Sequence, residues 1–439
     1  MKSRWLPGIV GLLIFGSPGF SRTVEPPYEI ATWRGFRTAA VSFTLDDGSP
    51  NHYAKAIPMF DEFGFHLTLF IVTGTTYGWS PDWSALRSAA SRGHEVASHT
   101  VTHASLAGMS DSLQVRELRD SRDAVNAQIP DRLCVTIAYP FCDIGNKSLC
   151  AQYYIAARIC SGSIVPANPS DFMSLSSIIC GELGSVRTAK HFIARVNSAV
   201  QSRGWCVFLL HGIDDDGGWS PVPSDTLRKT LEHLDANRDD VWVETFGNVA
   251  RYIQERNAVS VTETSADEDR ITVRVTDTLP DSVFDEPVTL RRPLPDGWVS
   301  AAASQNGRPV ETEIVETGGV RYVRFDAVPD RGEVVITKAA ATGIEGRDAL
   351  RMPGPSSMQN YPNPFNPSTT IEFTLREGSD VRLKLLNVSG QTVKELACGW
   401  FEAGAHRVLL EASDLAGGVY FYKLEAGNTM EVKKLLIAR

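Results

Sequence analysis

The sequence predicts an α/β body built on a parallel sheet, followed by two small all-β units, and three observations carry that prediction. Between residues 38 and 257, short apolar runs alternate with helix-like segments. Between 258 and 338 only strand-like runs remain, punctuated by Pro, Gly and Asp. After 358, a proline-rich opening leads into a third stretch of alternating strands.

The elements follow in order. Residues 40–45 read as a strand, and Pro50 then opens a helix through residue 63 that Gly64 stops. Proline inside a helix start and glycine just past its end are the favoured punctuation. Residues 66–72 form the next strand, 84–92 a helix ended by Gly93, and 95–97 a strand leading into His99. Downstream, 111–129 is amphipathic, 135–139 a strand, 189–203 a helix, 205–210 and 241–243 strands, and 249–256 the closing helix. In the middle unit, strands fall at 271–275, 288–290, 322–325 and 334–336, a small β-sandwich pattern without concentrated chemistry. Residues 339–357 carry Ala, Gly and Pro with no periodicity and read as a linker. The last unit, 358–439, has strands at 370–375, 381–385, 417–422 and 433–437.

A chain of 439 residues fits two or three domains at roughly 150 residues each. Its net charge of −9 argues against a nucleic-acid-binding face. Lys2 and Arg4 precede an apolar stretch at 5–20 that Pro7, Gly16 and Pro18 interrupt. That stretch reads as a secretory signal peptide over 1–21, because a membrane span needs about 20 unbroken apolar residues. An uncleaved anchor is the competing reading, and no later run is long enough to span a bilayer. Six of the seven cysteines (Cys134, Cys142, Cys150, Cys160, Cys180 and Cys206) share one stretch of the first body, which suits disulfides in an exported protein. Their pairing is not deducible from sequence. Cys398 is the odd thiol, and no CxxC pair exists to suggest a structural zinc site.

Asp46 and Asp47 stand where the first strand ends, the place where parallel βα folds assemble their sites. Successive side chains of an extended chain point opposite ways, so one carboxylate can hold a metal while its neighbour acts as a base. A plain Asp-Gly turn is the alternative. His99 and His103 lie four apart, which on a helical turn puts both on one face where they can chelate zinc. Together with Asp47 they make a two-His, one-carboxylate set that leaves a position open for water and substrate. His211 ends the apolar run 207–210, so its ring should emerge at the same sheet end and suits a general acid; a core histidine bonded to a carbonyl is the alternative. His52, His66, His94, His191, His233 and His406 have no comparable setting.

The segments Thr44-Leu45-Asp46-Asp47-Gly48, Gly93 through His103, Ala138-Tyr139-Pro140-Phe141 and Leu209-Leu210-His211 resemble, in order, the motifs of polysaccharide deacetylases, the NodB-type carbohydrate esterase family 4. The resemblance covers roughly residues 38–255. It implies a distorted (β/α) barrel over 38–257, a divalent metal, usually zinc, and hydrolysis of N-acetyl or O-acetyl groups from a polysaccharide or peptidoglycan. By position it implies Asp46 as catalytic base, Asp47, His99 and His103 as metal ligands, and His211 as catalytic acid. It also places Tyr139, ahead of Pro140, where a backbone N–H helps to hold the oxyanion.

This chain departs from the pattern twice. Ala138 stands where many members carry an arginine that orients the base, and the Asp-Trp motif that supports the acidic histidine has no clear counterpart. Asp171 is the nearest candidate for that support, with Asp214 to Asp216 next. Trp79 and Trp219 fall on loops expected near the pocket and could stack on sugar rings. These departures keep a second reading open, a catalytically impaired carbohydrate-binding surface protein of the same fold.

The last unit, through the run from Asn360 to Ser368 and Gly418-Val419-Tyr420-Phe421, resembles the sorting domain of type IX secretion. That resemblance implies the type IX machinery as a partner. It also implies passage through the periplasm to the cell surface or the medium.

Overall fold

Alternate residues of the first long strand divide between two cores, and that division builds the barrel. The computed structural model describes residues 27–339 except Tyr77, and 357–438 except 362, 364, 376–377, 388–390, 403, 414 and 427–428. The predicted signal peptide at 1–21 and residues 340–356 of the predicted linker lie outside those residues.

After a short β1 (Glu29–Ile30) come β2 (Ala39–Asp46), β3 (Thr68–Ile71), β4 (Glu95–Ser98), β5 (Thr136–Ala138), β6 (Ala156–Arg158), β7 (Ile178–Ile179), β8 (Trp205–Leu210) and β9 (Val241–Val243). Strands β2 to β9 form one parallel sheet in the order β6-β5-β4-β3-β2-β8-β7, with β9 also paired to β2. A bridge between Arg158 and Leu175, just ahead of β7, links the two ends. The sheet therefore curls into the distorted barrel the motifs imply, closed by a bridge instead of a full ladder.

Every residue of β2 is buried, as expected of a parallel strand covered on both faces. Val41, Phe43 and Leu45 face the helix-side core, where Phe43 stacks with Phe192 and meets Phe60 edge-on. Ala40 belongs to the other core, with Phe70, Ala97, Ala138 and Ala156. Of the helices, α1 (Ile57–Phe63), α2 (Trp83–Ser91), α3 (Asp111–Gln128), α5 (Ala189–Ser202) and α7 (Phe246–Ala258) fall where helices were predicted, whereas α4 (Lys147–Cys150) and α6 (Ser224–Ala236) were not predicted. Gly64, at φ 64°, ends α1 as expected.

The middle strands are β10 (Ser260–Ala266), β11 (Arg270–Thr276), β12 (Val288–Pro293), β13 (Ser300–Gln305), β14 (Arg308–Val310), β15 (Thr312–Thr317), β16 (Val320–Ala327) and β17 (Val334–Ala339). They form two sheets, β1-β12-β16-β15 and β10-β11-β17-β13-β14. Strand β1, from ahead of the barrel, completes the first of them by pairing Glu29 with Arg291 and Ile30 with Leu290. One core runs from the barrel through Phe246, Val249, Tyr252 and Ile253 of α7 to Val273, Leu290, Phe325 and Ile336 of the sandwich. Barrel and sandwich thus make a single compact unit, and residue 258 marks a change of topology more than a gap in packing. The second unit is all-β, with sheets of three and four strands around Ile371, Phe373, Leu383, Tyr422 and Leu435. No helix among the described residues is long and apolar enough to cross a membrane.

Glu255 of α7 is fully buried in the shared core. Its Oε1 accepts the Glu286 N–H at 3.0 Å, while its Oε2 has no partner among the described residues. Burial, and then the charge of Glu286, pushes its carboxyl up from 4.5 to about 9. A raised acid pKa means the folded protein keeps a proton that the unfolded chain releases, so stability is lost as pH rises from about 4.5 through about 9. Glu255→Gln should therefore raise the melting temperature by a few degrees near pH 9 and hardly at all near pH 5. Thermal melts at the two pH values check this, and equal effects at both would contradict it.

Candidate active site

The C-terminal ends of β2, β4 and β8 converge, and each delivers residues that the sequence singled out. Asp46 is the last residue of β2, and Asp47 turns the chain at φ 72° while its N–H still donates to Phe70 at 3.2 Å. A short polar side chain tolerates that left-handed conformation. Asp47 Oδ1 lies 3.7 Å from His99 Nε2 and 3.4 Å from His103 Nε2. One ligand atom from each of these three buried residues falls within 4.8 Å of the others.

His99 continues β4, with its N–H on the Ile71 carbonyl at 2.8 Å. Its Nδ1 donates to the Ala138 carbonyl at 2.8 Å, which leaves the Nε2 lone pair aimed at the cluster. Burial lowers its pKa to about 3, and burial also lowers that of His103, so both rings are neutral at neutral pH. The predicted helical turn between them does not form. Thr100 and His103 are left-handed, at φ 68° and 59°, in a tight loop. Glu117 of α3 shapes that loop by accepting the N–H groups of Val101 and Thr102, each at 2.9 Å. A carboxylate from another element thus takes amides that a helix would have used, and still brings the two rings to 4.8 Å.

Arg158 supplies what Ala138 lacks. Its Nη1 and Nη2 donate to Asp46 Oδ1 and Oδ2 at 3.1 and 2.6 Å, both side chains being almost wholly buried. Burial alone would raise the Asp46 carboxyl, but the Arg158 charge, helped by His99 and His211, holds it below the usual carboxylate range. Arg158 is the cross-strand partner of Ala138 in the β5–β6 ladder, so the arginine arrives one strand over from where the motif places it. The available sequence signal was a charged residue ending the short buried run Ala156-Ala157-Arg158.

His211 follows β8, with Nε2 3.9 Å from Asp46 Oδ2 and its ring edge-on to Trp219 at 4.8 Å. Burial lowers its pKa to about 4, Asp46 opposing and Arg158 reinforcing the shift. Its carbonyl is met by His52 Nε2 at 2.5 Å, a contact the sequence did not suggest. No described residue bonds its buried Nδ1.

The sequence candidates for that support lie elsewhere. Asp171 accepts from Lys147 Nζ at 2.6 Å, from Ser174 and from the Met173 N–H, capping its own turn. Asp214 pairs with Lys55. Asp216 accepts from Ser49 Oγ at 2.6 Å and from the Gly218 N–H at 2.9 Å, tying the loop after β2 to the loop after β8. Trp219 is 47% exposed, and the Trp79 ring edge lies 3.8 Å from where a Cβ on Gly217 would stand, two residues away from Trp219.

Tyr139 departs from expectation. Its N–H donates to the Arg158 carbonyl at 3.2 Å and its hydroxyl to the Met173 carbonyl at 3.2 Å, so its amide belongs to the sheet. Pro140 opens a tight turn, Pro140–Cys142, in which Phe141 is left-handed at φ 57°, 62% exposed, and edge-on to His103 at 4.7 Å. One disulfide, Cys142–Cys160, joins that turn to the chain just past Arg158. Cys134, Cys150, Cys180 and Cys206 are buried free thiols, and Cys398 is exposed and free.

Fold and site together define the class: an α/β barrel that gathers candidate metal ligands and an ionised carboxylate at its strand ends. Comparison with known proteins agrees, for the polysaccharide deacetylase profile matches residues 35–154 and the secretion system C-terminal sorting domain profile matches 359–438. The chain carries a domain of each kind, as its motifs indicated, and the sorting domain directs it to the cell surface or the medium. It is similar to a gellan lyase from Bacillus sp, 32% identical over 340 residues, which is 72% of this chain and 13% of that protein. It is also similar to YxkH of Bacillus subtilis (strain 168), named for a polysaccharide deacetylase, at 28% over 102 residues, 23% of this chain and 36% of the relative. The chain therefore spans well under two thirds of either. A solved family 4 acetyl xylan esterase from Clostridium thermocellum is 14% identical, with a TM-score of 0.35 over 48% of this chain and 89% of that one.

Proposed function

We propose that this chain hydrolyses acetyl groups, on nitrogen or oxygen, from an acetylated polysaccharide or peptidoglycan outside the cell, using a divalent cation held by Asp47, His99 and His103. Zinc suits two neutral imidazoles and one carboxylate. The carrying observation is that Asp47 Oδ1 and His99 Nε2 are buried, unpaired among the described residues, and face each other beside an ionised Asp46. Buried polar atoms left unpaired are costly, and a cation would satisfy both.

Bound there, the cation would polarise an acetyl carbonyl and acidify water. Asp46, kept ionised by Arg158, takes the proton of the water that attacks the acetyl carbon. His211, neutral at rest with Nε2 3.9 Å from Asp46 Oδ2, accepts the proton that Asp46 took from water and, as imidazolium, passes it to the departing amine or alcohol as the C–N or C–O bond breaks and acetate leaves. For the oxyanion we assign the Phe141 amide in the turn beside His103, since the Tyr139 amide is already bonded. Trp219 and Trp79 offer faces for sugar rings at the rim, and Asp171 is left outside the reaction. We take residues 38–257 as the catalytic domain, 258–338 as its β-sandwich support and 358–439 as the sorting domain served by type IX machinery.

The unpartnered His211 Nδ1 is the observation that favours the alternative, a carbohydrate-binding surface protein with impaired catalysis. Acetate release from chitin oligomers, peptidoglycan and acetyl xylan decides between them. We expect release that stops with chelator and returns with zinc, and that His99→Ala loses together with bound metal. Binding without release on every substrate at saturating zinc would leave only the alternative.

Metal affinity should depend on pH. Burial, and then the Asp46 charge, pushes the Asp47 carboxyl up to about 7, and a protonated carboxyl does not ligate. Zinc affinity should fall roughly tenfold per unit as the pH drops below about 7. Chelator competition across that range checks the slope, and a flat profile would remove Asp47 from the ligand set.

A further inference from the structure

Arg158 reaches Asp46 and Thr44 of β2 from β6, although β5, β4 and β3 lie between them in the sheet. Its side chain therefore crosses the barrel interior, its guanidinium passing 5.2 Å from the centre of the Phe70 ring. A long side chain with several rotatable bonds keeps a two-point contact at full reach only if its Cα is fixed. The backbone around Arg158 is held on both sides over a short span: its carbonyl accepts the Tyr139 N–H, and Leu175 bonds the Ala157 carbonyl and the Ile159 N–H. Strand β6 pairs with β5 over three residues and meets the opposite end of the sheet at the Leu175 bridge.

Two residues beyond Arg158, Cys160 is bonded to Cys142, with their Cα atoms 5.8 Å apart. Cys142 follows Phe141, whose ring lies against His103. Both cysteines are half-buried, whereas the four other cysteines of this body are fully buried thiols.

We propose that the Cys142–Cys160 disulfide is a positioning element of this site: it fixes where β6 ends, holds Arg158 in its two-point contact with Asp46, and makes turnover depend on the oxidised state of the pair. The inference rests on the hydrolytic role proposed for Asp46. Opening the bond takes two electrons and two protons and leaves two thiols. A water-soluble phosphine supplies the electrons and becomes the phosphine oxide, taking its oxygen from water.

The test uses the full chain loaded with zinc, with and without phosphine, alongside Cys142→Ser/Cys160→Ser and Arg158→Lys. Acetate release by the oxidised wild type comes first; silence there would sink the proposed function, which this link presupposes. Given release, reduction should lower kcat on the order of tenfold and change KM by less than about twofold, because positioning and not substrate binding is lost. Zinc content and the cooperativity of melting should stay as they were. The double variant should match the reduced wild type and ignore phosphine. In Arg158→Lys, reduction should add little, since two changes acting through one contact are not additive.

Full kcat in both the reduced wild type and the double variant would overturn the proposal. So would a reduction effect in Arg158→Lys as large as in the wild type, which would mean the link acts through another group. Loss of zinc or of cooperative melting on reduction would make the bond merely structural and overturn it as well.

Discussion

Arg158→Ala should cut kcat by about two to three orders of magnitude and destabilise the fold by about 3–5 kcal/mol, the usual cost of stripping one partner from a buried ion pair. Asp46 would remain buried beside Phe70 and His211 with no guanidinium to hold it ionised. Its carboxyl pKa would then rise, because burial, the largest influence on it, would lose the Arg158 charge that does most to oppose it. The acidic limb of the rate profile should move to higher pH, so part of the lost activity returns under alkaline conditions. In the wild type, the depressed pKa of Asp46 contributes stability that is present above the ordinary value of 3.8 and lost as pH falls through the lower folded value. Urea melts and pH–rate profiles of wild type and variant check both effects. A variant with unchanged kcat and unchanged profile would show that Asp46 does not need this arginine.

Asp46→Asn should abolish measurable acetate release, a loss of at least about a thousandfold, while leaving zinc content near that of the wild type. Asparagine keeps the shape of the side chain but cannot take a proton from water. The group proposed to hold the metal is Asp47, His99 and His103, so zinc binding should survive the change. Turnover retained in this variant, or zinc lost with it, would overturn the division of labour between the two neighbouring carboxylates.

The barrel was legible in the sequence because parallel strands buried on both faces read as continuous apolar runs, β2 and β8 above all. The five motif residues were legible as a group, since strand ends are where such folds collect side chains, and the structure brings Asp46, Asp47, His99, His103 and His211 together. What escaped was everything set by register or by distant partners. Arg158 became visible only once Ala138 and Arg158 were seen side by side in a ladder. The loop joining His99 to His103 depends on Glu117, whose carboxylate claims two of its amides. Strand β1, two residues long, is too short to show any periodicity, yet it completes a sheet with residues far along the chain. Of the cysteines, only Cys142 and Cys160 are placed to bond, which depends on the barrel's curvature and not on spacing.

Helix α7 meets the barrel through Phe246 against Phe70 and Trp205, and it shares one core with Val273 and Leu290 of the sandwich. The deacetylase motifs end near His211, but the core that holds this helix runs on through the sandwich as far as Ile336. An expression product stopped at 257 would leave the core around Tyr252 and Ile253 without Val273, Leu290, Phe325 and Ile336. Grafting this catalyst onto another scaffold therefore means carrying the sandwich with it, as a lid over a greasy helix that the barrel cannot cover by itself.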